Sequence, residues 1–315
     1  MLYTLSVSAE AQQPTKIPRI GNIIGASPSY SLARTDAFRQ GLRELGYVEG
    51  KSIILEWRYA EGKPDRLPAL ATELVRLNVD IIVSSGATPT RATKEATNTI
   101  PIVMAQDNDP VGNGFVASLA RPGGNITGLS TLAPEISGKR LELLREIVPR
   151  ISRVAILGTS TNPGNAQALR ETERAAQAFG VKLQNLDVLD PKDIETAFRA
   201  ATKGHADAVL LLQSVVFNSQ RKQIADLAIK SRLPAAYYAP EWVEDGGLMS
   251  YGVSFTDLYR RAATFVDKIL KGRTPAELPV EQPIKFDFIV NLKAAKQIGL
   301  TIPPNVLVRA DKVIK

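Results

Sequence analysis

From Ile17 onward the chain alternates short apolar runs with amphipathic ones, and this rhythm restricts the fold more than any other feature of the sequence. "RIGNIIG", "SIILEWRYA", "DIIVSSG" and "IPIVMAQ" read as strands, and the runs between them read as helices. In "SLARTDAFRQGLRELGY", Ala37, Leu42 and Leu45 share one face before a Gly46 stop. In "DRLPALATELVRLNV", Leu70, Leu74 and Leu77 do the same. Strands separated by helical runs of about ten to fifteen residues specify βαβ units and a parallel sheet. Nearly continuous apolar strands also suit a sheet covered on both faces.

After "RPGGNITGLS" the rhythm starts again, with strands "RVAILG", "VKLQNLDVL", "ADAVLLLQ" and "LPAAYYA". The helix in "DPKDIETAFRAATKG" has Asp190 as an N-cap candidate, Pro191 at its first position and Gly204 at its end. The last third, "GGLMSYG" to the C-terminus, has too few elements for another sheet and reads as return crossings that finish both halves. The expected architecture is therefore α/β, with two similar lobes built from discontinuous segments. No GxGxxG follows a strand and no GxxxxGK[ST] occurs, so dinucleotide and P-loop nucleotide binding lack their usual signals.

Composition removes other classes. The net charge of +7, from 39 basic and 32 acidic side chains, is spread over helices such as "SGKRLELLREIVPR" and forms no nucleic-acid module. Cysteine is absent, which excludes disulfides, thiolate nucleophiles, cysteine-ligated zinc and a lipid-modified cysteine. The single histidine, His205, cannot support a histidine metal cluster, and no cofactor is expected. Residues 1–16 look unlike the rest; "LSVSAEAQ" resembles the end of a secretory leader, with a disordered tail as the alternative.

In open parallel sheets ligands sit beyond the carboxyl ends of the strands. That geometry selects "GASPSY", "SSGATPT" and "AQDNDPV" in the first half, and "GTSTNPG", "QSVVFN" and "YYAPEW" in the second. Ser84, Ser85, Gly86 and Thr88 precede a helix opened by Pro89, where free N–H groups and the helix dipole favour an anion such as a carboxylate. Plain N-capping by Thr88 is the competing explanation. Asp107 and Asp109 could hold an ammonium group, or could form an Asx-turn before Pro110. Asn162, Gln213, Tyr237, Tyr238, Glu241 and Tyr251 come from the second half. Tyr237 and Tyr238 are neighbours on a strand, so at most one faces a cleft.

"DNDPVGNGFVASLARPGGNITGLS", "GKRLELLREIVP", "GGLMSYG", "AATFVDKILKGRTPAELPVEQPIKFDFIVNLKAAKQIGLTIPP" and "VLVRADKVI" resemble the tryptophan/tyrosine-type substrate-binding proteins of ABC importers. The resemblance runs from about residue 17 to the C-terminus and implies the type I periplasmic binding-protein fold: two Rossmann-like lobes joined by three crossings. The crossings are expected near 125–130, 250–254 and 281–284. The N-terminal lobe would comprise 17–126 with about 254–281, and the C-terminal lobe 127–253 with about 282–315.

By the same resemblance the ligand is an aromatic or apolar amino acid, or an aromatic acid, clamped by hinge closure. Ser85, Gly86 and Thr88 would hold its carboxylate, and Asp109, with Asp107 as rival, its amine. Ser27 would close the first-lobe side; Asn162, Gln213 and Tyr238, with Tyr251 following, would complete the cage. The implied partner is a membrane permease, and the implied protein is a periplasmic monomer. Two rivals remain: a two-lobed enzyme using Asp107 or Asp109 as a base, and the ligand-sensing module of a receptor.

Overall fold

The computed structural model describes residues 16–315. The leader-like call on residues 1–16 lies, but for Lys16, outside the described residues. The first sheet is built from β1 (Arg19–Ile24), α1 (Pro28–Glu44), β2 (Ile54–Tyr59), α2 (Leu67–Arg76), β3 (Ile81–Ser85), α3 (Ala87–Ala96), β4 (Ile102–Asp107) and β5 (Ile126–Ser130). Its five strands run in the order β2-β1-β3-β4-β5, all parallel.

The chain then crosses to α4 (Ala133–Ile147), β6 (Arg153–Gly158), α5 (Asn165–Phe179), β7 (Lys182–Asp187), α6 (Asp193–Lys203) and β8 (Ala208–Leu211). It continues through α7 (Val215–Asn218), α8 (Arg221–Lys230), β9 (Ala235–Tyr237), α9 (Pro240–Glu244) and β10 (Met249–Val253). Next, α10 (Phe255–Leu270) returns to pack along α1 and against β4 and β5. Finally β11 (Phe286–Asn291), α11 (Leu292–Gln297), α12 (Pro304–Arg309) and β12 (Lys312–Ile314) finish the second sheet. That sheet has seven strands, β12-β11-β10-β9-β8-β6-β7, parallel except where β10 meets β11.

The periodicity that predicts the helices also explains their burial. Phe38 and Leu42 of α1 and Leu70 and Leu74 of α2 are buried against the sheet, each such side chain stabilising the fold by about 1.5–3 kcal/mol. Leu45 and Leu77 differ from expectation: they are the C-cap residues, beyond the last regular turn, and both are exposed. Asp190 does not cap α6. The helix starts at Asp193, and Asp190 accepts from the Lys192 N–H in a local turn (3.0 Å).

The strand at 126–130 is the other departure. The sequence reading begins the second lobe at 127, but β5 pairs with β4 and is buried at every position, so it closes the first sheet. The crossing segments lie side by side. Ser130 N–H donates to Glu281 O (2.9 Å) and Glu281 N–H to Gly128 O (2.9 Å), while Ser254 N–H donates to Lys285 O (3.2 Å). Thr127 Oγ1 donates to Leu278 O at 2.6 Å.

Gly128 sits in this crossing at φ +133°, and a Cβ there would lie 2.2 Å from the Met104 carbonyl oxygen. Gly128→Ala is therefore expected to lower stability by about 3 kcal/mol. Urea unfolding followed by circular dichroism measures it; an unchanged midpoint would show that the β4–β5 junction gives way freely.

Candidate ligand-binding cleft

Because their strands are mostly parallel, each lobe places its βα loops at one edge, and the two edges face each other. On the first lobe the central feature is the start of α3. Its N-cap is Gly86, at φ +97°, with no side-chain capping bond, so Thr88 is a first-turn residue and not the cap. The first-turn N–H groups therefore lack a side-chain acceptor, and the helix dipole adds positive potential at that point. The register between β3 and β4 shifts here between Ser84 and Ser85, and pairing continues with Gly86 N–H donating to Gln106 O (3.0 Å). From behind, Ser84 and Thr90 hydroxyls meet at 2.8 Å and Thr90 Oγ1 donates to Gly86 O (2.8 Å), fixing the turn.

Ser85, Gly86 and Thr88 line the cleft together with Gln106 and Asn108. The opposite wall carries Asn162, Gln213 and Tyr238. The lobes stand close. Thr88 Oγ1 donates to Asn162 Oδ1 (2.9 Å), and Asn108 Nδ2 donates to Pro163 O (2.7 Å). Asn162 Nδ2 in turn donates to Gln213 O (3.1 Å), and the Tyr238 hydroxyl to Asn218 Oδ1 (2.7 Å). About 40 Å³ is open to a water-sized molecule, so this is a nearly shut arrangement.

One end of the cleft is closed by charge. Arg34, 3% exposed, donates through Nε (3.0 Å) and Nη2 (2.7 Å) to Glu241 Oε1 of the second lobe, and through Nη2 to the Tyr30 hydroxyl (2.9 Å). Its guanidinium lies 4.6 Å from the Tyr30 ring centroid and 4.2 Å from that of Phe255. Burial acts to raise the Glu241 carboxyl, but the adjacent Arg34 outweighs it and holds the group below the usual range. Burial likewise opposes the Arg34 charge, and Glu241 reverses the effect, keeping the guanidinium firmly ionised.

The aspartates make the bonds of the Asx-turn alternative. Asp107 is fully buried, and its Oδ1 accepts from Asp109 N–H (3.0 Å) and Asn113 Nδ2 (3.0 Å). Asp109 Oδ1 accepts from Gly112 N–H (2.9 Å). Both carboxylates thus serve turns of their own loop, and the intervening Asn108 faces the other lobe. Burial pushes the Asp107 carboxyl up to about 7, against the lowering effect of its two donors. Ser27 caps α1 by accepting from Tyr30 N–H (3.3 Å) and is not part of the cleft wall. Tyr251 stacks on Phe286 (6.1 Å between centroids) in the second sheet, away from the cleft. Tyr238 faces the cleft, and its neighbour Tyr237 is packed on Trp242 at 5.1 Å.

Sequence reading selected the loops that hold Tyr30, Gln106 and Asn108 without singling these residues out, and it missed Arg34 and Phe255. The i, i+4 spacing of Tyr30 and Arg34 puts both on one helix face beside the strand ends, which was the available signal. Phe255 gave none, because it reaches the cleft only through the return of α10.

Two α/β lobes with polar loops opposed across a cleft define a bilobed solute-binding protein of the type I periplasmic class. The chain belongs to the family described as ABC transporter substrate binding protein, whose model matches residues 26–314. A similar curated protein is the tyrosine-binding protein of Clostridioides difficile, 22% identical over 273 residues, covering 87% of this chain and 78% of the relative. Among solved structures, an ABC domain from Streptococcus pneumonia in complex with L-Trp is 26% identical, with a TM-score of 0.88 over 94% of this chain and 99% of the other. A conserved domain protein from Vibrio cholerae is 28% identical, with a TM-score of 0.90 over 95% and 100%.

Two outcomes test the cleft's electrostatics. Asp107 has a folded pKa above the ordinary 3.8, so its contribution to stability is full below about pH 4 and is lost as pH rises through about 7. Asp107→Asn keeps the Oδ1 acceptor. Its stability relative to wild type should rise by about 4 kcal/mol between acid pH and pH 8, read from chemical unfolding at several pH values; a constant difference contradicts the buried acid. Glu241→Gln strands the Arg34 charge and should lower stability by about 3 kcal/mol. Arg34→Met with Glu241→Met should recover most of that loss.

Proposed function

We propose that this chain captures an α-amino acid with an aromatic or apolar side chain and delivers it, as the substrate-binding protein of an ABC transporter, to a membrane permease. The observation that carries this reading is the start of α3, where a helix N-terminus without a side-chain cap stands beside Ser85 and Thr88 at the cleft. Such an arrangement suits a carboxylate. The solved relative with L-Trp and the curated tyrosine-binding relative support the same ligand class.

In this reading the first-turn N–H groups of α3, with Ser85 and Thr88, take the carboxylate. The amide oxygen of Gln106, buried without a partner, replaces the aspartates as acceptor for the amine, since both carboxylates and the Asn108 oxygen already accept within their own loop. Asn162, Gln213 and Tyr238 close from the other lobe, with Tyr30 and Phe255 offering aromatic surface to the side chain. Binding proceeds by hinge motion: one lobe comprises residues 17–130 with about 255–281, the other 132–253 with about 282–315. A ligand touching both lobes favours the shut form, because only differential binding moves the equilibrium. The protein acts outside the cytoplasm, as a monomer. An enzyme reading would require Asp107 or Asp109 as a base in the cleft, and their turn-forming bonds favour capture without chemistry.

Isothermal titration of protein stripped of bound solute by unfolding and refolding tests this. L-Tryptophan, L-tyrosine or L-leucine should bind tightly, and indole-3-acetate should bind more weakly for want of the amine. Thr88→Ala should weaken the amino acid by about 1–3 kcal/mol. Binding of sugars in place of every amino acid would overturn the ligand class.

A further inference from the structure

We propose that the second lobe carries a separate ligand pocket, outside the interlobe cleft, that takes a small apolar amine. The pocket has a volume of about 270 Å³ and opens beyond the carboxyl ends of β6 and β7, under the first turns of α5. Ala166 and Leu169 of α5, Ile156 of β6 and Leu212 after β8 form its walls. A dry apolar cavity of about 150 Å³ already admits benzene, so the space accommodates one aromatic ring with a short alkyl chain.

The reason for the pocket lies in the strand order. β7 is the edge strand of the sheet, and α5 covers β6 while leaving Asn185, the β7 residue on that face, exposed. Gly158, at the end of β6, supplies no side chain to fill the space.

Polar lining comes from Asn185 and the exposed Asp187 on the β7 side and from Thr159, Ser160 and Asn165 above β6. Asp187 belongs to the pocket lining, and its carboxylate accepts from Ser160 N–H (2.8 Å) and Ser160 Oγ (2.6 Å). Two donors leave lone pairs on an ionised carboxylate for a further donor. An apolar chamber beside a fixed negative charge complements an ammonium group attached to a ring or alkyl chain, and it disfavours a zwitterion, whose carboxylate would meet Asp187. The pocket therefore selects against the amino acids proposed for the cleft.

The two sites share a wall. Thr159 and Asn165 line the pocket, and Asn165 Nδ2 donates to Thr159 O (3.1 Å), closing the turn that they bound. On the other side of that turn Asn162 Nδ2 donates to Asn165 Oδ1 (3.2 Å), and Asn162 Oδ1 accepts from Thr88 across the cleft. An occupant pressing on Asn165 would bear directly on the residue that joins the lobes.

Titration calorimetry with 2-phenylethylamine tests the pocket on the full chain, in the absence and presence of saturating L-tryptophan. Saturable binding is expected in both conditions. Asp187→Asn should weaken it at least tenfold, and Ala166→Trp, which fills the chamber, should abolish it. Should Ala166→Trp fail to fold, Leu169→Trp, from the same wall, narrows the same space and should also reduce affinity severalfold. Absence of saturable binding at millimolar amine, or binding that L-tryptophan displaces and Asp187→Asn leaves intact, overturns the proposal. Failure of L-tryptophan to bind contradicts only the cleft reading, since the amine titration stands by itself.

Discussion

Parallel strands deliver all of their connecting loops to one edge, and everything functional in this protein follows from that directional constraint. In the first sheet β1, β3 and β4 end side by side, so residues distant in sequence meet at the beginning of α3. The second sheet repeats the arrangement with β6, β8 and β9. Three adjacent crossings then hold the two edges face to face, and their backbone hydrogen bonds run between crossing segments far apart in sequence. A cleft formed in this way needs no special cavity in either core. It is the gap between two ordinary α/β units, furnished by whatever the loops carry.

Much of this is legible in the sequence because it rests on local rules. Helix periodicity, strand length and the turn residues at Gly46 and Gly204 specify elements without reference to the rest of the chain. The loop with Ser85, Gly86 and Thr88 is readable for the same reason: a strand end followed by small residues and a helix start is a local pattern. What the sequence hides depends on distant partners. Nothing near Arg34 indicates that Glu241 will meet it across the gap, and nothing near Ser254 indicates that Phe255 returns to the first lobe. The aspartates illustrate the converse. Asp107 and Asp109 look available for a ligand amine, but the donors that occupy them, Asn113 and Gly112, lie only a few residues away. There the local turn wins, because a buried carboxylate without donors is far less favourable than one bonded to its own loop.

Charge is used in two ways at this interface. Arg34 and Glu241 are both withdrawn from water, and each makes the other's ionisation tolerable; Tyr30 and Phe255 flank the guanidinium and exclude solvent. Their contribution is better understood as specificity than as net stability, since a buried pair recovers in mutual attraction roughly what it loses in hydration. The pair can form only when the lobes meet in one orientation. At the other side of the cleft, neutral groups dominate: Thr88, Asn108, Asn162 and Gln213 are hydroxyls and amides. Such groups donate or accept without a large hydration penalty, so they can exchange partners at low free-energy cost.

That exchangeability has a bearing on cargo handling. The Thr88–Asn162 hydrogen bond already ties the halves together, so an arriving solute that uses either group must first undo a bond the protein makes with itself. Its net gain is the difference between two similar contacts, not the whole of one. Contacts at Thr88 and Asn162 therefore add less to affinity than their number suggests, and the remainder must come from groups that have no partner until the solute arrives.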